Sequence, residues 1–572
     1  MSSFHALQRT DSNGMASWVH FTGAQRCVEA WRLEDVLPCL RCLEAEAKKG
    51  LHAVGWISYE ASPAFDPHYQ VHPRPPGLPY LRFTVYTAQH TGLPPKNSSE
   101  AALSDLEPLL DEQGFTRAIT KIHQAIALGE TYQVNFTYPL HGKIQGDPWS
   151  LFRKLRKAQS AQHQAYIDEE NHIIISASPE RFFKHEGNRI RCKPMKGTAA
   201  PGEELQLKAS LKNRSENIMI VDMIRNDLGK IADCGSVKAE PLFEVESFPS
   251  LVQMTSTVTA TGSRSAVDWL CALFPCASIT GAPKRKTMEW IRDLEDDPRG
   301  IYTGCIGGFF GDGVSEFNVA IRTAVIEKPT QTFRYHSGCG IVWDSSAQEE
   351  YLESNLKTAV LKHQVDEFQL IETMRSEPGL GIPLWSFHRK RLQSSAAILG
   401  MELDPSELDQ RIGELKFPNA GKVRLTLSEA GKIDIQLSAL PEKKVSMTFR
   451  IDSVPTPSSH PELKHKTTRR GIYESARKRH PDVDETLLIN ERGELMEFSI
   501  GNLVWVKEGQ SFTPPLTSGL LPGVARAALL DERKIIEQVC TPKDLEASDE
   551  IYLINALRGW VKMENGARTL LS

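Results

Sequence analysis

Two lysines in differently patterned halves of the chain raise the first chemical question. Lys196 stands in Pro194-Met195-Lys196-Gly197-Thr198, a run bounded by proline and glycine that reads as a short turn. It follows Glu180 of Ser178-Pro179-Glu180-Arg181-Phe182 by sixteen residues. An amine and a carboxylic acid can serve as nucleophile and proton donor. Lys466 lies far downstream, in Leu463-Lys464-His465-Lys466-Thr467-Thr468-Arg469. Two chemically distinct lysines imply two active sites on one polypeptide.

Other groups of the first half suit an anionic ligand. Glu216 lies in a stretch of helical periodicity from Ser215 to Ile224, and Glu350 and Glu353 are three apart in another, which puts both carboxylates on one helix face. Three carboxylates with no thiol or imidazole beside them suit Mg²⁺, a hard ion that takes oxygen ligands and keeps waters. Ser278-Ile279-Thr280-Gly281-Ala282-Pro283-Lys284 reads as a hydroxyl-rich turn that opens a helix, where free N–H groups receive a carboxylate. Ser337-Gly338-Cys339-Gly340-Ile341-Val342 reads as a glycine turn that lets backbone approach a ligand. Arg322 reads as mid-strand in the run from Asn318 to Val325, where it needs an anion, from the protein or from a substrate.

The elements that must position these groups follow from pattern. Ile119, Ile122, Ile126 and Ala127 recur at helical spacing from Phe115 onward, and Ile173 to Ala177 is strand-like. A helix is expected from about Gln348 to Lys362, after which the texture restarts with the strand-like Phe368 to Thr373. The chain has 572 residues, too many for one ordinary core. The expected division is 1–110 and 111–364 for the first catalytic region and 365–572 for the second. Gly92 to Ser99 reads as a flexible insertion. A net charge of −5 gives no reason to invoke nucleic acid or a membrane surface. No apolar run approaches the roughly 20 residues of a membrane span. Met1 to His5 shows no secretory signal, so a cytoplasmic protein is expected. The ten cysteines are scattered; Cys39 and Cys42 have CxxC-like spacing but no second pair, which favours plain thiols over zinc or redox chemistry.

Taken in order, Ser178 to Phe182, Pro194 to Thr198, Arg225 to Gly229, Ser278 to Lys284, Ile321 to Thr323 and Gly338 to Asp344 resemble the chorismate-utilising enzymes over about residues 115–362. The resemblance implies an α+β domain with large antiparallel sheets. Isochorismate-forming members carry a water-activating lysine at the position that looks like Gln133, and glutamine cannot replace it as a base. Anthranilate synthases carry alanine where Lys196 stands; the aminodeoxychorismate synthase component I branch carries a lysine, as here. On that resemblance Lys196 attacks C2 of chorismate while Glu180 protonates the departing C4 hydroxyl. Mg²⁺ on Glu216, Glu350 and Glu353 holds the ring carboxylate. Tyr302 and Arg322, with Lys357 nearby, hold the enolpyruvyl carboxylate, and Ser278, Thr280, Gly281, Gly338 and Gly340 line the chorismate site. Gln253 stands where many relatives carry histidine. No glutaminase pattern is visible, so ammonia is expected from a separate glutamine amidotransferase subunit or from solution.

The second half has its own ordered set: Arg391 in a basic helix start, Lys466, Glu497 to Leu503, Gly519 to Arg526, and Asn555 to Gly559. Pyridoxal 5′-phosphate demands a lysine for its aldehyde, a carboxylate for its ring nitrogen and a phosphate cup. Lys466, Glu497, and Arg391 with the backbone of Ser499, Ile500, Gly523 and Val524 supply these in turn. The set resembles the fold-type IV enzymes, a two-lobed α/β fold that includes aminotransferases and 4-amino-4-deoxychorismate lyase. Lys466 is preferred to Lys464 because Arg469, Arg470 and Tyr473 follow it at suitable offsets. Ala525 replaces a threonine that relatives often place on the phosphate. Asn555 and Arg558 are implied for the substrate. Fold-type IV enzymes are commonly dimers, which makes a homodimer through this half an expectation.

Together the resemblances imply a bifunctional enzyme that forms 4-aminobenzoate, the folate precursor. Two alternatives stay open: an anthranilate synthase component I fused to a fold-type IV aminotransferase, and a fusion with one half serving only as a docking scaffold.

Overall fold

A computed structural model describes residues 3–11, 15–96, 98–158, 161–199, 203–247, 252–362 and 367–565. The chain divides into two compact units, residues 1–91 with 97–365, and residues 92–96 with 366–572. The boundary expected at 364/365 lies outside the described residues.

The first unit is built on a 17-stranded antiparallel sheet, with a separate three-stranded sheet of Met195–Ala199, Val252–Thr255 and Glu244–Ser247. Strands that begin the chain, such as Phe4–Thr10, belong to the large sheet with those of the expected catalytic region. One core packs the helices Leu33–Ala47, Leu211–Gly229 and Ala266–Leu273 against strands through Leu40, Ile220 and Trp269; a second lies around Trp56, Phe21 and Ile306. The expected helix appears as Glu112–Ala127; the Asp111 carboxylate caps it by accepting from the Gly114 N–H at 2.7 Å. Phe115, Ala118, Ile119, Ile122 and Ala125 form its buried face, and Ile126 lies at its edge. The helix expected from Gln348 is Ala347–Thr358, followed by a 3₁₀ turn, Ala359–Lys362.

Four local readings need correction. Lys196 is on a strand, not in a turn. Met195 pairs with Thr255 and Thr198 with Gln253, so Lys196 and Gly197 oppose the single residue Met254. This is a β-bulge, which bends a strand and re-aims a side chain. Gly197 has φ +89°, and a Cβ there would lie 2.9 Å from Asn213 Cγ. Arg322 is not mid-strand: Val314–Val319 ends before it, Thr323–Glu327 begins after it, and its φ is +52°. The glycine run is no turn either, since Thr332–Ile341 is one strand pairing Gly338 with Thr137 and Gly340 with Asn135. Gly338 is glycine because a Cβ would meet the Phe136 carbonyl oxygen at 2.2 Å. Finally, Ser278 and Thr280 do not open a helix. A 3₁₀ turn, Ala277–Ile279, and a bridge strand, Gly281–Ala282, precede the helix Lys284–Leu294, and Pro283 occupies its N-cap.

The second unit has two sheets. Leu370–Ser376, Gly421–Leu427 and Ile433–Ala439 form an antiparallel sheet that packs the helices Trp385–Leu399 and Pro405–Gly413 around Leu392, Leu408 and Val423. The other has eight strands, mixed in direction, around Phe449, Leu487, Phe498 and Trp505. Gly92–Lys96 belongs to this unit: Leu93 is buried and bridges Glu402, and the Lys96 N–H donates to Glu402 at 2.8 Å. The loop read as a flexible insertion is held there; its residue 97 lies outside the described residues.

Candidate active sites

Glu180 sits between the strands His172–Ser178 and Arg181–Glu186, and is buried. Ser178 fixes the backbone there: its hydroxyl accepts from the Glu180 N–H at 3.2 Å and donates to the Val319 carbonyl at 2.6 Å. Burial pushes the Glu180 carboxyl up to about 7, against a hydrogen bond from Ser278 and the charge of Lys196. Lys196 Nζ lies 3.4 Å from a Glu216 oxygen. A Cβ on Gly340 would stand 3.0 Å from Lys196 Nζ and 2.9 Å from Gln133 Nε2, so Gly340 is the floor beneath both. Both amide atoms of fully buried Gln133 lack a hydrogen-bond partner. Ser278, Glu180, Lys196, Glu216, Gly340 and Gln133 therefore form one polar cluster. Thr280 and Gly281 serve its architecture. The Thr280 hydroxyl donates to the Cys276 carbonyl at 3.1 Å, and a Cβ on Gly281 would collide with the Gln133 carbonyl oxygen at 1.9 Å.

The carboxylates do not form the expected closed triad. Ligand atoms of Glu350 and Glu353 lie within 4.8 Å of one another and of Cys339 Sγ, whereas Glu216 is engaged by Lys196. The expectation that no thiol lies beside these carboxylates is thus wrong. Cys339 was missed because its glycine run was read as a turn; on a strand, position 339 faces opposite to 338 and 340. Glu350 is buried and accepts from the Ser345 hydroxyl at 2.8 Å. Glu353 is exposed; partial desolvation pushes its carboxyl up, but Lys357, Lys196 and Lys212 together hold it below its usual range. Two carboxylates this close together fit Mg²⁺, which needs only one or two and completes its shell with water and substrate. Glu350 and Glu353 would hold it.

Lys357 Nζ donates to the Gly338 carbonyl at 2.9 Å and pairs with Glu353 at 2.7 Å. Arg322 acts electrostatically on Lys357 and on Tyr302. Tyr302 is buried and lies against His336 with ring centroids 4.7 Å apart and the rings tilted by 34°. These three form a cationic, phenol-bearing group of the kind that receives a carboxylate.

In the second unit Lys466 is half-buried and Lys464 is exposed. The Ile371 N–H donates to the Lys466 carbonyl at 2.9 Å, which fixes its backbone. Burial, then Arg391, Arg470 and Arg424, lower the Lys466 amine to about 8, against the opposing charge of Glu372. Glu372 itself was not singled out. It takes two bonds from Arg391, from Nε at 2.8 Å and from Nη2, and pairs with His388 Nδ1 at 2.6 Å. Arg391 Nη1 also donates to the Pro522 carbonyl at 3.2 Å, beside Gly523 and the helix Val524–Asp531. Arg391 and this helix N-terminus therefore converge, as a phosphate cup requires.

Glu497 is buried; it accepts from the Tyr473 hydroxyl and the Leu521 N–H, each at 2.8 Å, and from Asn502 Nδ2 at 3.1 Å. Burial pushes it up to about 7 against those bonds. A carboxylate so held fits the ring nitrogen of pyridoxal phosphate. Arg470 bonds the Ser499 carbonyl and acts electrostatically on both Lys466 and Glu497. Other expected contacts are engaged elsewhere. The Ser499 hydroxyl bonds Glu485, and its N–H donates to the Thr486 carbonyl at 3.2 Å. Asn555 Nδ2 donates to the Ile500 carbonyl at 3.1 Å, and its Oδ1 accepts from the Arg558 N–H at 2.7 Å. Arg558 Nη1 reaches the Glu442 carbonyl at 3.2 Å.

Gly523 is a sharp local test. A Cβ there would stand 1.8 Å from Asn502 Oδ1, part of the amide that holds Glu497 and the Leu521 carbonyl. Gly523→Ala should lower stability by about 1–3 kcal/mol, the usual effect of overpacking, and weaken pyridoxal phosphate binding. Thermal unfolding and cofactor titration read both.

Comparison with known proteins assigns the two units. Residues 9–363 match the family described as chorismate binding enzyme, and residues 369–565 match amino-transferase class IV. The first match spans more than half of the chain. The protein belongs to the chorismate binding enzymes, and as expected it carries a second, class IV aminotransferase enzyme domain. It is 39% identical over 249 residues to aminodeoxychorismate synthase component 1 of Salmonella typhimurium, covering 42% of this chain and 54% of the relative. It is 30% identical over 335 residues to anthranilate synthase component 1 of Saccharolobus solfataricus, covering 54% and 79%. The chain spans 37% to 60% of the length of four aminodeoxychorismate synthase relatives. Anthranilate synthase component I from Streptococcus pneumoniae superposes with a TM-score of 0.51 at 22% identity, over 63% of this chain and 90% of that one, a likeness of fold. Among the described residues no helix is long and apolar enough to cross a membrane.

Proposed function

We propose that the chain makes 4-aminobenzoate in two reactions: amination of chorismate at C4 by the first unit, then loss of pyruvate in the second. The observation that carries the first is Lys196, which stands on a bulged strand over the Gly340 floor and acts electrostatically on Glu180. Lys196 Nζ adds at C2 as the C4–O bond breaks, and Glu180 gives its proton to the leaving hydroxyl, which departs as water. Ammonia then adds at C4 as the C2–N bond to Lys196 breaks. Ser278 holds the Glu180 carboxyl; Tyr302, Arg322 and Lys357 receive the enolpyruvyl carboxylate. Glu350 and Glu353 would hold Mg²⁺, whose charge suits the ring carboxylate. Relatives named component 1 support a separate glutamine amidotransferase as the ammonia source.

In the second unit Lys466 would hold the aldehyde carbon of pyridoxal phosphate, Glu497 its ring nitrogen, and Arg391 with the Gly523–Val524 backbone its phosphate. The bound cofactor supplies an electron sink for loss of the C4 proton. Once the substrate's own amine has displaced it from the aldehyde carbon, Lys466 Nζ would take that proton, favoured by an amine lowered to about 8, and would return it to the enolpyruvyl group as the C3–O bond breaks and pyruvate leaves. The product of the first reaction brings the amine that such a site uses; this pairing favours the lyase over an aminotransferase. We assign 1–110 and 111–364 to the synthase, 365–572 to the lyase, and the whole to a cytoplasmic protein that pairs through its second half.

The test is the product of chorismate, ammonia and Mg²⁺ with cofactor-loaded protein: 4-aminobenzoate is expected, and 2-aminobenzoate alone rejects the proposal. The acid role of Glu180 adds a pH dependence. A required proton on a group near 7 is lost as pH rises. At a fixed concentration of free ammonia, chorismate consumption should fall by up to about tenfold per unit above that value. A flat profile between pH about 7 and about 9 would reject this role.

A further inference from the structure

We propose that Cys339 gives the Glu350–Glu353 pair a sulfur ligand, so that this site takes thiophilic divalent cations of the zinc class in competition with Mg²⁺. The inference rests on the reading of Glu350 and Glu353 as the cation-holding carboxylates, and is independent of which aminobenzoate is formed. Sγ and the carboxylate oxygens lie within 4.8 Å of one another. Ligand atoms around one tetrahedral zinc ion are about 3.5 Å apart, so binding closes the set by about an ångström, within reach of side-chain rotation.

Cys339 is buried on the strand Thr332–Ile341, and its thiol donates to the Glu350 carbonyl at 3.2 Å, which ties it to the helix that carries both glutamates. Lys357 Nζ stands 3.5 Å from Sγ and 2.7 Å from Glu353, and Lys212 Nζ 4.0 Å from Glu350. These ammonium groups already neutralise the carboxylates, and an entering ion has to displace them. The thiol loses its proton to solvent as sulfur binds. Oxygen ligands alone suit magnesium, whereas one thiolate shifts preference toward zinc and cadmium.

The probe is cadmium, whose thiolate complexes absorb in the ultraviolet. Full-length protein is titrated with Cd²⁺ in the absence of chorismate, and Zn²⁺ and Mg²⁺ are then added as competitors. Because the chain has ten cysteines, the signal is the difference between wild type and Cys339→Ala. A saturable band absent from Cys339→Ala and reversed by Mg²⁺ is expected. Zinc affinity should drop at least about tenfold, the lower end of what loss of a metal-site partner costs, with Mg²⁺ affinity unchanged. A structural role for the thiol would instead lower both affinities, and Cys339→Ser separates packing from sulfur. Equal Cd²⁺ spectra and equal zinc affinity in wild type and Cys339→Ala would overturn the proposal. Since no product is read, failure here differs from failure of the 4-aminobenzoate assignment.

Discussion

Lys466→Ala should convert chorismate to 4-amino-4-deoxychorismate and stop there. The intermediate should accumulate while 4-aminobenzoate formation falls by roughly 10³-fold or more, within the range that general acid–base groups supply. The loss is large because, among the described residues, the cations that act most strongly on this amine cannot replace it. Lys464 is exposed, and the other cations acting on Lys466 are arginines, which cannot give up a proton near neutrality. Borohydride should fix pyridoxal phosphate to wild type and to Lys464→Ala, but not to Lys466→Ala. Normal 4-aminobenzoate formation by Lys466→Ala would remove the lyase assignment.

Lys196→Ala should abolish the preceding step, leaving chorismate unconsumed, with a loss of roughly 10⁴-fold or more, as removal of a covalent nucleophile causes. Charge alone does not account for this expectation. Lys196 pairs with Glu216 at 3.4 Å, opposes the rise of Glu180 and helps to lower Glu353. Lys196→Arg keeps that positive charge but has no nucleophilic amine, so it should be nearly as inactive. Recovery of the wild-type rate in Lys196→Arg would reduce Lys196 to an electrostatic neighbour. Supplied with 4-amino-4-deoxychorismate, Lys196→Ala should still release 4-aminobenzoate, and the pair of variants divides the pathway between the units.

The contrast between the two lysines shows what was legible in the sequence. Lys466 was chosen over Lys464 from the residues that follow it; in the fold Lys466 is half-buried with arginines acting on it, and Lys464 is exposed. Lys196 was found in sequence but put in a turn, because proline and glycine punctuate turns and bulges alike. Only the register against Val252–Thr255 separates the two. The same ambiguity placed the Gly338–Gly340 run in a turn and hid Cys339. Arg322 failed differently: nothing in its apolar surroundings signals a left-handed residue between two strands. Ser499 and Asn555 were legible as positions but not as roles, since their bonds go to Glu485 and Ile500, distant in sequence.

The bulged strand has a thermodynamic consequence. It belongs to a three-stranded sheet outside the large one, with a small apolar cluster of its own around Leu207, Val252 and Met254. A patch with so little buried surface can open at far lower cost than the 17-stranded sheet, as foldons of unequal stability do. Glu180 is anchored at the other end of that scale, through Ser178 and Val319. The nucleophile and the acid thus ride on cooperative units of different strength, and mild denaturant should release amide protection around Lys196 while Glu180 stays in place.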